Sequence, residues 1–302
     1  MWVGKSMWDF PELLSFPLLE DWINTIVDWL THSLAPFFDV ITVAIREPME
    51  GIEQLLLWLP WWVVIVISSG VAWRFAGRRI ALLLLIGLLF IGVVALWDDT
   101  MTTLAIIVTA VAVSVIIGIP VGILMAKSDR FEVLIRPILD SMQTMPSFVY
   151  LLPAVFFFGL GKVPAVVATF IYAAPPCIRL TNLGIRQVAA EVVEAGKAFG
   201  STGLQLLFKI QLPLAMPTIM AGVNQTVMMA LGMVVLASMI GASGLGLQVL
   251  LSLERLDVVG GILAGIAIVI VAIMIDRISQ ASAKRLRITA PSERGRQREG
   301  IV

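Results

Sequence analysis

MTTLAIIVTAVAVSVIIGIPVGILMA, the stretch at residues 101–126, contains no charged side chain. A helix that crosses the hydrocarbon core of a bilayer needs about 20 predominantly apolar residues. This stretch is long enough to span a membrane as one helix. The whole sequence agrees with that interpretation, because 59% of its residues are hydrophobic and 14% are charged, against about 45–50% and about 25% in ordinary soluble domains.

Working outward from residues 101–126, six further charge-free runs are candidates for membrane spans. They are Gln54–Trp73, Ile80–Trp97, Ser141–Gly161, Val163–Ile178, Ile210–Leu253 and Val258–Ile275. The run Ile210–Leu253 is too long for one span, and the glycine-rich residues 241–246 predict the end of its helix and an irregular return segment. We therefore predict an all-α polytopic membrane protein with about seven transmembrane helices.

The positions of lysine and arginine predict the orientation, because cytoplasmic loops carry an excess of both. With the N-terminus outside and the C-terminus in the cytoplasm, four of the 21 basic residues lie outside and 17 inside. The outside residues are Lys5, Arg46, Lys162 and Arg255. Val163–Ile178 is the weakest of the seven spans. Without it, the basic segments on its two sides would lie on opposite faces of the membrane, so seven spans are favoured over six.

Three regions follow along the chain. Residues 1–54 are predicted to form an acidic, amphipathic helical arm on the periplasmic side, residues 55–276 the transmembrane domain, and residues 277–302 a basic cytoplasmic tail. Pro36 and Pro48 are expected to break the arm into short helices. Its apolar face recurs at helical spacing: Leu19, Trp22, Ile23, Ile26, Val27, Leu30 and Leu34. Whether the arm lies on the membrane or packs on its own spans is left open.

Enzyme chemistry is not expected in this chain. No segment satisfies the phosphate-binding pattern GxxxxGK[ST]. The single cysteine, Cys177, and the single histidine, His32, make a metal site improbable. The charge-free spans also lack the ionisable groups that ion-driven carriers commonly place at membrane depth. We expect no catalytic residue, cofactor or metal here, and energy supplied by another chain.

Between two predicted spans, residues 194–213 read EAGKAFGSTGLQLLFKIQLP. The pattern predicts a short helix over 194–199, a turn at Gly200 that tolerates a positive φ, and a second short amphipathic helix over 202–209. Pro213 is expected to start the next membrane helix. Such a helix–glycine–helix has a suitable shape for docking into a groove on a soluble partner.

This loop, 185–213, resembles that of the permease subunits of binding-protein-dependent ABC importers. Their motif reads EAA, three residues, G, nine residues, I, one residue, LP, and the spacing here matches throughout. Gly196 is the one departure, because it replaces the second alanine and lowers helix propensity by up to about 1 kcal/mol. The resemblance assigns ATPase coupling to Glu194, Ala195, Gly196, Gly200, Ile210, Leu212 and Pro213.

The same resemblance implies the surroundings of the chain. It implies a bacterial inner membrane location and two copies of an ATP-binding subunit, which would hold ATP and Mg. It also implies a periplasmic substrate-binding protein, a second copy of this chain and membrane lipid as partners. No nucleic acid is expected.

A closer resemblance, to the glycine betaine/proline betaine branch, rests on residues 140–150, 158–164 and 212–226. It implies import of compatible solutes such as glycine betaine, proline betaine, choline or carnitine, with trimethylamine N-oxide chemically related. Polar or aromatic candidates for the translocation path are Gln143, Thr144, Tyr150, Asn224, Gln225 and Thr226. Ordinary hydrogen bonding between helices is the alternative role for the polar ones.

Three other functions stay open from the sequence. The same architecture could import another small polar solute such as an amino acid. A secondary carrier or channel would use an ion gradient without an ATPase. A membrane scaffold would conduct no substrate.

Overall fold

The computed structural model describes the backbone of residues 17–288 and the side chains of residues 21–280, except those of His32 and Val234. Within these residues all regular secondary structure is helical, as predicted. The α-helices are α1 Pro17–Ser33, α2 Ala35–Trp58, α3 Trp61–Ala76, α4 Arg78–Val93, α5 Trp97–Lys127, α6 Asp129–Thr144, α7 Leu151–Phe158, α8 Lys162–Arg186, α9 Ala190–Ala198, α10 Gly203–Leu206, α11 Leu212–Ser238, α12 Leu245–Glu254 and α13 Val258–Ile288.

By length and composition, fewer helices qualify as membrane spans than the predicted seven, and the number of spans stays a prediction. Four helical segments within residues 17–288 are long and apolar enough to cross a membrane, and six if each of two bent helix pairs forms one span. The difference arises partly at α3 and α4, which have 16 residues each. At 1.5 Å per residue each is only about 24 Å long, shorter than a typical hydrocarbon core of about 30 Å. The orientation stays a prediction.

The fold is organised around α8, which packs between α5 and α11. Glycines allow this close approach. A Cβ atom at Gly122 of α5 would lie 2.7 Å from the carbonyl oxygen of Ile178, and one at Gly222 of α11 would lie 3.0 Å from that of Pro176. The backbones of α5 and α11 therefore approach α8 closely at these two glycines, where a larger residue would keep the helices apart.

Helix α8 is longer than the predicted span Val163–Ile178. It continues through Pro175 and Pro176 to Arg186. Each proline removes one backbone hydrogen bond, which is why the sequence suggested an end there. Both prolines are buried between the neighbouring helices, and this packing holds the helix together.

Two other predicted spans are interrupted at prolines. The run Ser141–Gly161 is divided by Met145 and Pro146, and the helices on either side meet at 111°. The run Gln54–Trp73 is divided at Pro60, between α2 and α3. Proline disfavours the helical conformation in the residue before it, and the charge-free pattern alone did not reveal these breaks.

The long run Ile210–Leu253 ends its helix as predicted. Helix α11 stops at Ser238, and Gly241 and Gly244 follow with φ of +83° and +112°. The return segment is not irregular, however, because α12 forms over Leu245–Glu254. Four glycine and alanine residues in the turn had suggested a longer irregular stretch.

Of the two prolines that were expected to break the arm, only Pro36 lies where one helix ends and the next begins. Pro36 lies at the start of α2, just after α1 ends, as expected. Pro48 lies inside α2 and does not break it. Its ring is exposed, while Met49 beside it is buried, so packing holds this part of α2 straight through the proline. The apolar face of α1 is exposed at Trp22 and Ile23.

The other end of the chain is helical further than the predicted domain limit. Helix α13 continues to Ile288, beyond residue 277 where the basic tail was placed. The rest of that tail, residues 289–302, and residues 1–16 of the predicted arm lie outside the described residues. The three regional boundaries remain predictions.

The contact between α5 and α8 gives a prediction for stability. Replacing Gly122 with alanine places a methyl group against the Ile178 carbonyl, and such overpacking costs about 1–3 kcal/mol. We expect a lower thermal unfolding temperature for the detergent-solubilised variant. The matched control is Gly265→Ala in α13, where no atom lies within 4 Å. Equal stability of the two variants would contradict the tight α5–α8 contact.

Candidate functional site

The loop between α8 and α11 folds as a helix, a glycine turn and a second helix. Helix α9 begins at Ala190, four residues earlier than predicted. After Gly200, α10 occupies Gly203–Leu206 and continues as a π-helical turn, Leu207–Gln211, directly into α11. The predicted order of elements is confirmed. The π-helical turn was not predicted, and such turns are frequent at functional sites.

The turn itself depends on Gly200, whose φ is +79°. Its N–H donates to the carbonyl oxygen of Lys197 at 2.9 Å, and the next N–H, of Ser201, donates to that of Gly196 at 3.1 Å. These bonds end α9 in the way that glycine commonly ends helices. The positive φ expected at this position is confirmed.

A capping box starts the second helix. The Thr202 hydroxyl accepts from the N–H of Gln205 at 3.4 Å, and the Gln205 side chain accepts from the N–H of Thr202 at 3.0 Å. This reciprocal pair satisfies two backbone donors that a helix start leaves free. The loop is thus held by its own backbone, independently of any partner.

Gly196 lies on the inner face of the loop. A Cβ atom there would be 2.6 Å from Cδ1 of Ile210 and 2.9 Å from Cδ1 of Leu206. Since both of these atoms are ends of flexible side chains, alanine could be admitted by a small movement. The departure of Gly196 from the family motif therefore matches the close approach of α9 to the π-helical turn.

The last part of the motif joins the loop to the membrane helices. Leu212 is half-buried beside a cluster formed by Ile185, Leu207, Ala215 and Ile219. Pro213 lies in the first turn of α11. The π-helical turn before it is continuous with α11, so the helix that begins at Gly203 runs through the proline and does not start there as predicted.

Other residues of the loop face outward. Glu194 and Ala195 are exposed, and Phe199, immediately before the turn, is 91% exposed. Such an exposed aromatic side chain is available for contact with another chain. Sequence reasoning passed over Phe199, although an aromatic residue directly before a glycine turn was a visible signal.

A charged network fixes the place where the loop leaves α8. The guanidinium of Arg186 lies 2.7 Å from the carboxylate of Asp129 and 2.9 Å from that of Glu132, and it donates to the carbonyl oxygen of Met125 at 2.9 Å. Asn182 accepts from the same guanidinium at 3.0 Å. Arg186 therefore ties the end of α8 to both α5 and α6.

The translocation-path candidates from residues 143–150 lie at the bend after α6. Gln143 and Thr144 are exposed. Tyr150 is 5% exposed, and its hydroxyl donates to the carbonyl oxygen of Met142 at 2.6 Å. In this conformation Tyr150 holds the bend together. Its place in a path stays a prediction.

The other three candidates occupy α11. Gln225 is exposed and Thr226 is fully buried. The Asn224 Oδ1 and Thr226 Oγ1 atoms are buried without a hydrogen-bond partner among the described residues. Buried polar atoms of this kind are rare in native proteins. The role of these three residues in a path stays a prediction.

Comparison with known proteins supports the interpretation of the loop. A model of the family described as "Binding-protein-dependent transport system inner membrane component" matches residues 118–288. The glycine betaine/proline betaine transport system permease protein ProW of Escherichia coli is 47% identical over 89% of this chain and 76% of that protein. The glycine betaine transport system permease protein OpuAB of Bacillus subtilis is 49% identical over 87% of this chain and 93% of that protein.

Among solved structures, the MetNI methionine ABC transporter in an inward-facing conformation has the same fold. Its TM-score is 0.55 at 21% sequence identity, and the match covers 64% of this chain and 95% of that one. The family model, the relatives and the fold agree. This chain belongs to the inner membrane components of binding-protein-dependent transport systems, the permease subunits of ABC importers.

Proposed function

We propose that this permease carries betaine-like quaternary amines and related compatible solutes into the cell, driven by ATP hydrolysis in a separate subunit. The observation that carries the substrate class is the 47–49% identity to permeases named for glycine betaine and proline betaine. Choline and trimethylamine N-oxide are included because they share the methylated ammonium or amine oxide group. These groups are recognised through contacts with aromatic rings.

The ATPase is proposed to dock on the solvent-exposed surface of the loop, formed by Glu194, Ala195, Phe199 and Gly200. The buried or half-buried residues Gly196, Ile210 and Leu212 would hold the shape of that surface without touching the partner. Two ATPase subunits, two copies of this chain and one external binding protein would complete the transporter. ATP and Mg would be held by the ATPase, whose movement would reach α8 and α11 through the loop.

The substrate class is tested with the purified external binding protein that acts with this permease. It is titrated with glycine betaine, proline betaine, choline, carnitine and trimethylamine N-oxide, and with a panel of amino acids, by calorimetry. We expect binding of at least one methylated ammonium or amine oxide compound. Binding of an amino acid alone would favour the alternative substrate. Uptake into proteoliposomes that needs an ion gradient but no ATPase would favour a secondary carrier.

The turn gives a prediction about coupling. Replacing Gly200 with valine forces a β-branched residue into a left-handed conformation that costs about 1–2 kcal/mol even for ordinary residues. We expect ATP hydrolysis by the reconstituted complex to continue while substrate uptake falls. Gly200→Asn is the matched control, since asparagine tolerates a positive φ. Full uptake by the valine variant would show that the turn is not part of coupling.

The exposed aromatic ring gives a prediction about ATPase affinity. Aromatic residues at the centre of an interface commonly contribute about 2 kcal/mol or more, which is about thirty-fold in affinity. We expect Phe199→Ala to weaken binding of the ATPase subunit by that amount in a pull-down titration. Leu160→Ala is the control. Leu160 is 75% exposed and lies just before the first residue of α8, whereas the loop follows the last residue of that helix. Equal losses in both variants would argue against docking at Phe199.

A further inference from the structure

Glu53 on α2 is the one buried carboxylate among the side chains that the structure describes, with 9% of its surface exposed. The amino group of Lys162 donates to both of its oxygens, at 2.6 and 2.7 Å. The hydroxyl of Thr102 on α5 donates to the first oxygen at 2.7 Å. The carboxylate therefore accepts three hydrogen bonds and links α2, α5 and α8.

Sequence reasoning missed this pair. Glu53 was counted among the acids of the arm, one residue before the first charge-free run, and Lys162 among the basic residues of the outer loops. The two residues are 109 positions apart, so no local pattern connects them.

The pair lies where α5 and α8 begin, and other polar contacts gather at the same end. The N–H of Leu245, at the start of α12, donates to the hydroxyl of Thr103 at 2.8 Å. The side chain of Gln248 donates to the carboxylate of Asp99 at 2.8 Å. The N–H of Gly161 donates to the carbonyl oxygen of Ile240 at 2.9 Å. The first turns of α5 thus hold the segments that precede α8 and follow α11.

Lys162 follows a short segment that contains two glycines with positive φ. It follows Gly159 and Gly161, which have φ of +76° and +122°, and no atom would lie within 4 Å of a Cβ at either glycine. No neighbouring atom would contact a side chain at either glycine. The polar contacts at the start of α8 are the ion pair with Glu53 and the backbone bond to Ile240, and the side chains of Val163 and Ala165 that follow are buried.

An ion pair suits a contact that is made and broken. A buried ion pair contributes little net stability compared with apolar packing of the same volume, so stability alone does not explain it. When the two charges separate into water, both are hydrated again, whereas separated apolar surfaces stay exposed at full cost. A transporter that alternates between two states must separate some contacts at each end during every cycle.

We infer that the Glu53–Lys162 pair is a gate contact, closed in the conformation described here and open when this end of the permease admits solute. This inference rests on the proposed function as an alternating transporter. The opposite end of α8 has its own charged contacts, where Arg186 meets Asp129 and Glu132. The helix between them has 25 residues, about 37 Å at 1.5 Å per residue, so each end can have a separate gate.

The decisive experiment restrains the pair covalently. Glu53 and Lys162 are both replaced by cysteine in a Cys177→Ala background, and the full complex with ATPase and binding protein is reconstituted in proteoliposomes. A short, reducible thiol cross-linker is then added. We expect cross-linking to abolish ATP-driven uptake and a reductant to restore it. Uptake that persists in fully cross-linked protein would overturn the inference, because the pair would then never need to separate.

The matched control joins Arg46 and Glu50 in the same way. These residues form an exposed pair one turn apart on α2, so a cross-link between them restrains no movement between helices. Uptake should be unchanged by it. Loss of uptake in this control as well would mean that the reagent itself inactivates the complex, and the inference would lose its support.

Charge variants give a second measurement that a purely structural pair would not change. Glu53→Gln keeps an acceptor for Thr102 and loses the charge that attracts Lys162. For a gate contact, we expect ATP hydrolysis without loaded binding protein to rise several-fold while the yield of assembled complex is kept. The exchanged pair Glu53→Lys with Lys162→Glu should lower it again. Unchanged hydrolysis and uptake in an assembled Glu53→Gln complex would contradict a gate.

The proposed function and the gate fail in different ways. If the unmodified complex shows no ATP-driven uptake of any methylated ammonium compound, the proposed substrate or energy source is wrong. If that complex transports and the cross-linked variant transports equally well, only the gate is wrong.

Discussion

The close contact of α8 with α5 and α11 is the constraint on which the rest of the structure depends. Backbone approaches backbone at Gly122 and Gly222, and no side chain larger than hydrogen fits at Gly122 without displacing the Ile178 carbonyl. In a membrane, helices associate through such packing, because lipid offers no hydrophobic driving force between them. Such packing favours movement of these three helices as one body, with changes of conformation at its ends.

Both ends of α8 are joined to their neighbours by polar groups. At its start, Lys162 contacts Glu53. At its other end, Arg186 binds Asp129, Glu132 and a backbone carbonyl, and the loop at residues 190–211 follows directly. Apolar packing in the middle and charged contacts at the ends suit a part that stays rigid while its surroundings rearrange. The loop at residues 190–211 joins α8 to α11, so movement of a partner bound to the loop would be transmitted to these two helices.

The features that the sequence predicted correctly are those encoded locally. Gly200 has a positive φ, and the charge-free residues 101–126 lie in one long apolar helix. The features it missed depend on distant neighbours. The charge-free run Val163–Ile178 underestimates α8, because packing carries the helix through Pro175 and Pro176 to Arg186. The Glu53–Lys162 pair and the exposure of Phe199 are set by tertiary structure, which no periodicity of the chain contains.

The fit of Gly196 against Ile210 has a consequence for how such loops diverge. The two side chains share one small volume, since a Cβ at position 196 would lie 2.6 Å from the tip of Ile210. Alanine at position 196 needs only a small movement of the Ile210 tip, whereas a side chain larger than alanine would need a smaller residue at position 210. Across related permeases the pair should therefore covary, whereas Phe199, which fills no space within its own chain, is free to follow changes in the ATPase. Residues on the inner face of the loop should therefore vary with the packing of this chain, and residues on the outer face should vary with the ATPase.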